Sequence, residues 1–575
     1  MNSARDIRIV LCTLALAACT SGQDHPTSAP TAHAEHAEHA APPPPGSTLT
    51  QWAEGARRLG GLGAYTRTIT TSSPEAQAYF DQGLLLIYGF NHDEAVRAFA
   101  RAIQLDGTCA MCYWGAAEAL GPNYNMPAME ERWKALWDAV QSAQKNAAHA
   151  TPVEQALIAA LGKRYQGATP VPAEKMQPFN DAYAAAMREV AQRFPADDDV
   201  QVFFAEALMT ANPWKLWTAD GTAAPGTNEI VQTLETVLAR NPRHPGANHY
   251  YIHAVEASPH PEKGVAAAER VAGLMPGAGH IVHMPAHIFQ RVGRYADASA
   301  ANTAAAQADA AYIVEAKPPA WMYYSGMYFT HNYQFLAYSE SMRGRSAGAL
   351  QACREMTQHL TDDVLHMGTG LDWYAAEPWF VLERFGLWEQ MLAEKAPDPK
   401  LNGLSAAYHY VRATAFAATG KLAEASEEKT KLDAIAAATP ADAPAGLNKA
   451  RDLMAVASIV VGARLAAAQG RHDEAIAALR DAVAKEDKLE YDEPADWFVP
   501  VRHLLGAELL RGGNAAQAET VYREDLQRYP ENGWALYGLA RSLEVQHKSA
   551  ESAAVERRFN QAWKDADIVL TASAY

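Results

Sequence analysis

Histidine is concentrated in one short stretch of this chain. The sequence has 20 histidines among 575 residues, and seven of them fall between His244 and His287. Imidazole nitrogens are borderline ligands that suit zinc and copper, and nickel or iron less specifically. The stretch is therefore the first place to look for a metal site.

The spacing of these histidines matters more than their number. His249 and His253 are four residues apart, and Glu256 follows three residues later. On a helix such residues share one face, with Cβ atoms about 5–6 Å apart, so two imidazoles can bind one ion at about 2 Å each. A second set at spacing i, i+3, i+7 consists of His280, His283 and His287.

The elements that carry these sets are predicted by a repeat of about 34 residues. The repeat has a small residue near position 8, a turn residue near 15, alanine at 20 and 27, and a bulky apolar residue at 24. The matching residues are Gly83, Ala95, Phe99 and Ala102; Ala286, Phe289, Gly293, Ala298 and Ala305; Gly470, Ala475, Leu479 and Ala482; and Gly506, Gly513, Ala518, Tyr522 and Pro530. The pattern resembles the tetratricopeptide repeat family over roughly residues 75–560, which implies an all-α solenoid of helix pairs.

Several strings resemble, more narrowly, a group of bacterial tetratricopeptide proteins. They are FNHDEA at 90–95, CAMCYWG at 109–115, NHYYIH at 248–253 and HMPAH at 283–287. The resemblance implies a shared architecture and supplies no reaction.

The repeat register predicts that successive helices bring the histidines together. With Gly293 at position 15, the second set lies on the face that lines the concave groove of such arrays, and His331 takes the matching place in the next unit. The predicted metal ligands, aimed at a common point in that groove, are His249, His253, His280, His283, His287 and His331. The predicted cofactor is a transition metal, copper or zinc.

Other side chains are assigned roles around this metal. If a coordination position is open, Glu256 is the natural general base. Predicted ligand-binding residues are Arg291, Trp214, Tyr250 and Tyr324. The signature HExxH is absent, because NHYYIH has no glutamate after its first histidine. Two alternatives stay open: a groove in which the histidines bind an organic or peptide ligand, and simple packing.

Two cysteines open a helix. A CxxC at a helix N-terminus has a lowered thiol pKa and readily oxidises, so Cys109 and Cys112 are predicted to form a local disulfide. A metal-binding or reactive pair and inert packing are the alternatives.

The N-terminus predicts export. An apolar run too short to span a bilayer follows two arginines and ends in LAAC at 16–19, which resembles a bacterial lipobox. Residues 1–18 are then a lipoprotein signal peptide, and lipid on Cys19 is the expected membrane contact, at the outer membrane facing the periplasm. An ordinary signal peptide is the alternative.

The remaining chain divides by composition. Residues 19–50 read as a disordered tether with histidines at 33–39, either a solvated spacer or a loose metal trap. Residues 51–395 and 396–575 are predicted as two repeat lobes, the first with the histidine groove.

The net charge of −17 argues against a nucleic-acid partner, which requires clustered Lys and Arg. Three functions then compete. They are a metal-binding solenoid, a metalloenzyme that activates water or oxygen, and a metal-free interaction scaffold. The partner is an unknown envelope protein or a small ligand in the groove.

Overall fold

The computed structural model describes residues 46–575 apart from 320, 321, 323 and 369, all within one compact unit, Pro44–Tyr575. The predicted signal peptide, the lipidated Cys19 and the histidine tract at 33–39 lie outside the described residues. Residues 46–50, which the sequence assigns to the tether, already belong to the fold, because Trp52 Nε1 donates a 2.8 Å hydrogen bond to the Gly46 carbonyl.

The regular secondary structure of the described residues is almost wholly α-helical. The first helices are α1 (Leu49–Ala53), α2 (Pro74–Tyr88), α3 (His92–Leu105), α4 (Ala110–Leu120), α5 (Trp133–Asn146), α6 (Pro152–Arg164), α7 (Gln177–Arg193), α8 (Asp198–Ala211), α9 (Thr227–Arg240), α10 (Pro245–Glu256), α11 (Val265–Val271), α12 (Gly279–His283), α13 (Pro285–Arg291), α14 (Tyr295–Ala316) and α15 (Tyr324–Met342). They are followed by α16 (Ser346–Thr357), α17 (Asp362–Met367), α18 (Glu377–Arg384), α19 (Trp388–Ala393), α20 (Asn402–Ala418), α21 (Leu422–Ala438), α22 (Ala450–Ala468), α23 (His472–Glu486), α24 (Val501–Arg511), α25 (Ala515–Arg528), α26 (Gly533–Val545) and α27 (Ser549–Ala562). A two-residue antiparallel hairpin, β1 (Pro444–Ala445) and β2 (Asn448–Lys449), precedes α22.

Each helix packs mainly on the helix before and after it, as in a helix-pair array. Glycines at the turns between paired helices adopt left-handed φ values, which an L side chain rarely takes. They are Gly293, Gly344, Gly386, Gly420, Gly470 and Gly513, with φ between 66° and 78°. The predicted fold class, an all-α tetratricopeptide-type solenoid, is confirmed.

Close helix crossings explain the small residue at position 8. The ring of Phe99 on α3 lies between Gly83 on α2 and Gly115 on α4, and a Cβ on either glycine would overlap the ring. The same arrangement recurs around Tyr522 near the C-terminus. A glycine on each flanking helix thus makes room for the bulky residue of the helix between them.

Buried apolar side chains form two clusters, one between Trp52 and Phe335 and one between Tyr295 and Ala574. The predicted lobe boundary at 396 stays a prediction. Among the described residues no helix is long and apolar enough to cross a bilayer.

A buried carboxylate ties the first helices together. Asp199 on α8 accepts hydrogen bonds from Tyr65 Oη (2.8 Å), Arg67 Nη1 (2.8 Å), Tyr88 Oη and His244 Nε2 (3.2 Å). Burial by itself would raise the pKa of Asp199, but the His244 bond and the Arg67 charge hold it well below its ordinary value. The network anchors the end of α2, where Tyr88 lies.

Replacing Asp199 with Asn is expected to lower the free energy of unfolding by about 1–3 kcal/mol, because Arg67 keeps Asp197 as a partner but the Tyr65 and Tyr88 hydroxyls lose a charged acceptor. A depressed folded pKa contributes stability above the unfolded value of about 3.9 and loses it as pH falls through the folded value. Urea-unfolding midpoints should therefore differ most between wild type and Asp199→Asn near neutral pH, and the gap should shrink in acid. A gap that widens in acid would contradict this assignment.

Candidate metal centre

Four helices carry the predicted metal ligands. His249 and His253 lie one turn apart in α10, and His331 lies in α15. The second set is divided, because Pro285 opens α13 directly after α12 and leaves His280 and His283 on one helix and His287 on the next. The residues are His249, His253, His280, His283, His287 and His331, and the fold brings all six together.

The first triad consists of His249, His253 and His280. One nitrogen from each ring lies within 4.8 Å of the other two. His249 Nε2 and His280 Nε2 are 3.1 Å apart. Two nitrogens bound to one tetrahedral ion at about 2.05 Å are separated by roughly 3.3 Å, so this spacing fits ligands of a common ion.

The second triad consists of His283, His287 and His331. Their nitrogens also lie within 4.8 Å of one another, and the Nε2 atoms of His283 and His287 are 2.9 Å apart. The two triads adjoin. The ring centroids of His253 and His287 are 5.3 Å apart, and those of His280 and His283 are 5.7 Å apart.

Hydrogen bonds fix the orientation of the first triad. His249 Nδ1 donates to the Tyr88 carbonyl at 2.6 Å, and His253 Nδ1 donates to Glu256 Oε1 at 2.9 Å. Because a neutral imidazole carries one N–H, each ring then presents an unprotonated Nε2. His253 Nε2 is buried and has no hydrogen-bond partner.

Two amides do the same in the second triad. His283 Nδ1 donates to Asn302 Oδ1 at 2.6 Å, while the amide nitrogen of Asn302 donates to a carbonyl one turn earlier on α14. His331 Nδ1 donates to Gln334 Oε1 at 3.1 Å. Hydrogen bonds of this kind to Nδ1 orient histidine ligands in metal sites.

His287 is held between two carboxylates. Its Nδ1 donates to Glu493 Oε2 at 2.8 Å, and Glu256 Oε2 forms an ion pair with the same nitrogen at 2.7 Å. Burial disfavours the charged ring, yet Glu256 and Glu493 raise the pKa of His287 to about 10. Burial would also raise the pKa of Glu256, but His287 and His253 lower it to about 2.

The 2.9 Å contact in the second triad requires a cation. His283 and His287 both donate from Nδ1, so in their neutral forms both would direct an Nε2 lone pair at the other ring. Two lone pairs at that distance repel. The contact is satisfied by one proton, which makes His287 an imidazolium, or by a metal ion bound to both nitrogens.

Most of the other rings are in the form that binds metal. Burial, with the neighbouring imidazoles, lowers the pKa of His249, His280 and His283 well below its ordinary value. Burial likewise lowers the pKa of His331 to about 3. Metal ligation needs a neutral imidazole, so these rings need lose no proton at neutral pH.

A phenylalanine backs each triad. The Phe90 ring lies 4.5 Å from His249 and stacks on His253 and His280 at 5.7 and 5.4 Å between centroids. Phe335 contacts the second triad in the same way, at 4.6 Å from His283, 4.5 Å from His287 and 4.9 Å from His331.

The predicted ligand-binding tyrosines support the site instead of lining an open surface. Tyr250 is buried, stacked on Phe90 at 5.6 Å. Tyr324 Oη accepts the backbone N–H of His280 at 3.1 Å and donates to Asp309 Oδ1 at 3.0 Å.

Arg291 and Trp214 lie at the edges of the cluster. Arg291 Nε is 4.0 Å from Glu493 Oε1, so it balances a carboxylate of the protein. Trp214 stacks on Tyr124 at 5.3 Å, and both rings contact His253, at 6.0 and 5.3 Å. This aromatic pair separates His253 from a neighbouring pocket of about 420 Å³.

The sequence predicts an open groove, whereas the structure encloses the rings. Five of the six histidines are at most 2% exposed, and His331 alone is partly exposed. The loop between α23 and α24 closes one side of the cluster, because it brings Glu493 to His287 across 206 positions of sequence. In the sequence, this segment is recognisable as an insertion that lengthens the loop between two helices of the array.

Glu256 lies behind the triads, and its predicted role as a general base stays a prediction. Its Oε1 accepts from His253 and its Oε2 pairs with His287, so both oxygens face ring Nδ1 atoms behind the triads. The structure therefore assigns it to the support of the ligands. Sequence reasoning overlooked four further supporting side chains: Asn302, Gln334, Phe90 and Phe335.

The described residues contain one disulfide pair and one free cysteine. Cys109 and Cys112 are joined by a disulfide at the start of α4. Cys353 is a buried free thiol.

Comparison with known proteins adds no assignment. No protein-family model matches the chain. No curated protein matches it either. Among solved structures, the human IFIT1 dimer with m7Gppp-AAAA has a TM-score of 0.29 and 12% identity, over 86% of this chain and 91% of that one. Yeast Tom70 has a TM-score of 0.27 and 10% identity, over 85% and 93%. At these TM-scores the similarities carry no argument, and the fold assignment rests on the helix pairs.

A tight contact at Gly279 holds the start of α12 in place. A Cβ there would overlap the carboxylate of Asp309, which also accepts from Tyr324 and, at 2.7 Å, from Asn332 Nδ2. Gly279→Ala is expected to lower the free energy of unfolding by about 1–3 kcal/mol, as overpacking does. Gly462→Ala is the control, since its Cβ would meet only Lys429 at an ordinary 3.7 Å and the helix gains propensity. Equal urea midpoints for the two variants would refute the argument.

Proposed function

We propose that this chain binds transition-metal ions, copper or zinc, through the two histidine triads. The observation that carries the proposal is the 2.9 Å approach of His283 Nε2 to His287 Nε2, with Nδ1 of both rings held by oxygen acceptors. Such an arrangement is costly for two neutral rings and favourable around a cation. All-nitrogen ligand sets suit zinc and copper.

The first triad supports the same proposal independently. His253 Nε2 is a buried polar atom without a partner, beside the Nε2 atoms of His249 and His280. Leaving a buried acceptor unpaired costs about 1–3 kcal/mol. A bound metal ion would satisfy it.

A metalloenzyme that activates water or oxygen is the second candidate. Three histidine ligands per ion leave a coordination position for an exogenous ligand, as in catalytic zinc sites. In either case the chain's own residues would act in the same way. The imidazoles bind the ion, the Nδ1 acceptors orient the rings, and the aromatic residues exclude water.

A metal-free interaction scaffold explains the repeat but not the enclosed rings. A surface for protein partners does not require six imidazoles inside the fold. The proposed setting is the cell envelope, with Cys19 lipidated. We also propose that the chain belongs to the bacterial tetratricopeptide group, that it is exported and that it does not bind nucleic acid.

Elemental analysis of the mature protein, purified without a histidine tag and loaded with Zn²⁺ or Cu²⁺, tests the proposal. We expect stoichiometric metal, and loss of the ion of the second triad in His283→Ala/His287→Ala, because two of its three ligands are gone. His260→Ala is the control: its side chain is 67% exposed and pairs with Glu262. A protein that binds no metal after loading would remove the proposal.

The side chains that hydrogen-bond to the ligating rings provide a second test, in which metal affinity is measured. Asn302→Ala removes the acceptor that orients His283, and we expect metal affinity to fall about 10- to 100-fold. Asn146→Ala is matched to it, since Asn146 makes the same amide bond to a carbonyl one turn earlier, on α5. Competition with a chromophoric chelator measures both affinities. An equal effect of the two variants would mean that the Asn302 contact serves only folding.

A further inference from the structure

We propose that the two triads form one dinuclear centre, in which a small oxygen- or nitrogen-donor ligand, such as hydroxide or azide, bridges the two metal ions. This inference rests on the proposed function and adds that the ions act as a pair. It is carried by the contact between the triads, not by the triads themselves.

The spacing of the rings places the ions side by side. Rings of different triads approach to 5.3 Å (His253 and His287) and 5.7 Å (His280 and His283) between centroids. An ion at about 2 Å from Nε2 lies about 3 Å from the centre of its ring. The two ions would therefore be bound by adjoining rings, as a bridging ligand requires; two-metal sites hold their ions about 3.5–4 Å apart.

One carboxylate supports both ions. Glu256 Oε1 accepts from Nδ1 of His253 in the first triad, and Oε2 pairs with Nδ1 of His287 in the second. Two unrelated mononuclear sites need no carboxylate that contacts the ligands of both. The shared Glu256 instead fixes the two ligand sets relative to each other.

The enclosure limits the ligand to a few atoms. Tyr124 and Trp214 close the side at His253, and Glu493 closes the side at His287. Only His331 is partly exposed. Rings packed this closely leave no room for an organic or peptide ligand, so the bridging ligand must be a small ion such as hydroxide or azide.

Copper spectroscopy on the full mature chain tests the inference. Two Cu²⁺ ions joined by a one-atom bridge exchange-couple antiferromagnetically, so their EPR signal is lost although the metal is present. We expect two copper ions per chain by elemental analysis and an integrated EPR signal well under one spin per chain. Azide should perturb the ligand-field spectrum of both ions together.

In variants that disrupt one triad, the copper content should fall while the EPR signal rises. His249→Ala and His331→Ala each weaken one triad, so copper should fall to about one ion per chain while the EPR signal rises to nearly one spin. His260→Ala should retain two ions and a silent spectrum. Far-UV circular dichroism and melting establish that each variant is folded, and the wild-type spectrum tests the inference without any variant.

The outcomes separate the two proposals. Two copper ions with two full spins would mean independent mononuclear sites, which overturns the pair and leaves metal binding intact. One ion per wild-type chain would also overturn the pair. A wild-type protein without bound metal would overturn both.

Discussion

The hydrogen bonds to Nδ1 are the constraint on which the rest of the centre depends. An imidazole inside a protein must pair its N–H, since a buried polar group without a partner costs about 1–3 kcal/mol. Here five of the six rings direct Nδ1 to a carbonyl, amide or carboxylate oxygen. These acceptors lie outside the ring of histidines, so every pairing turns an Nε2 inward. The cluster of lone pairs is therefore a consequence of how the fold satisfies the other nitrogen.

Charge balance explains why two carboxylates accompany the histidines. Glu256 and Glu493 are buried, and a buried carboxylate is tolerated only when it is paired. With its proton on Nε2, the His287 imidazolium meets both, and Arg291 lies 4.0 Å from Glu493. A divalent ion bound at Nε2 would take the place of that proton as the cation that faces the carboxylates. The same carboxylates would raise the basicity of the ligands that they contact.

The sequence predicts the repeat and the six histidines because both depend on local periodicity. Helical spacing groups His249 with His253, and the 34-residue register brings His331 beside them. Long-range contacts have no such signal: Glu493 reaches His287 through a loop 206 residues away, and nothing in the spacing of Asn302 or Gln334 identifies them as acceptors. The histidines predicted to line an open groove are buried, because that loop and the insertion around Trp214 cover them. The pattern likewise gives the helix face of Glu256 but not the direction of its oxygens.

Phe90 occupies a turn position that is glycine in most later hairpins, and its ring contacts the first triad. In most of the later hairpins the residue two positions before the second helix is glycine with left-handed φ, as at Gly293 and Gly470. Phe90 takes that position before α3 and keeps the left-handed backbone at φ 53°. A bulky residue held there costs on the order of 1–3 kcal/mol. The cost is offset where the ring packs, against three imidazoles of the first triad. His547 holds the same turn position before α27 at φ 59° and is exposed, so it is the packing of the Phe90 ring on the imidazoles that ties this turn to the histidine cluster.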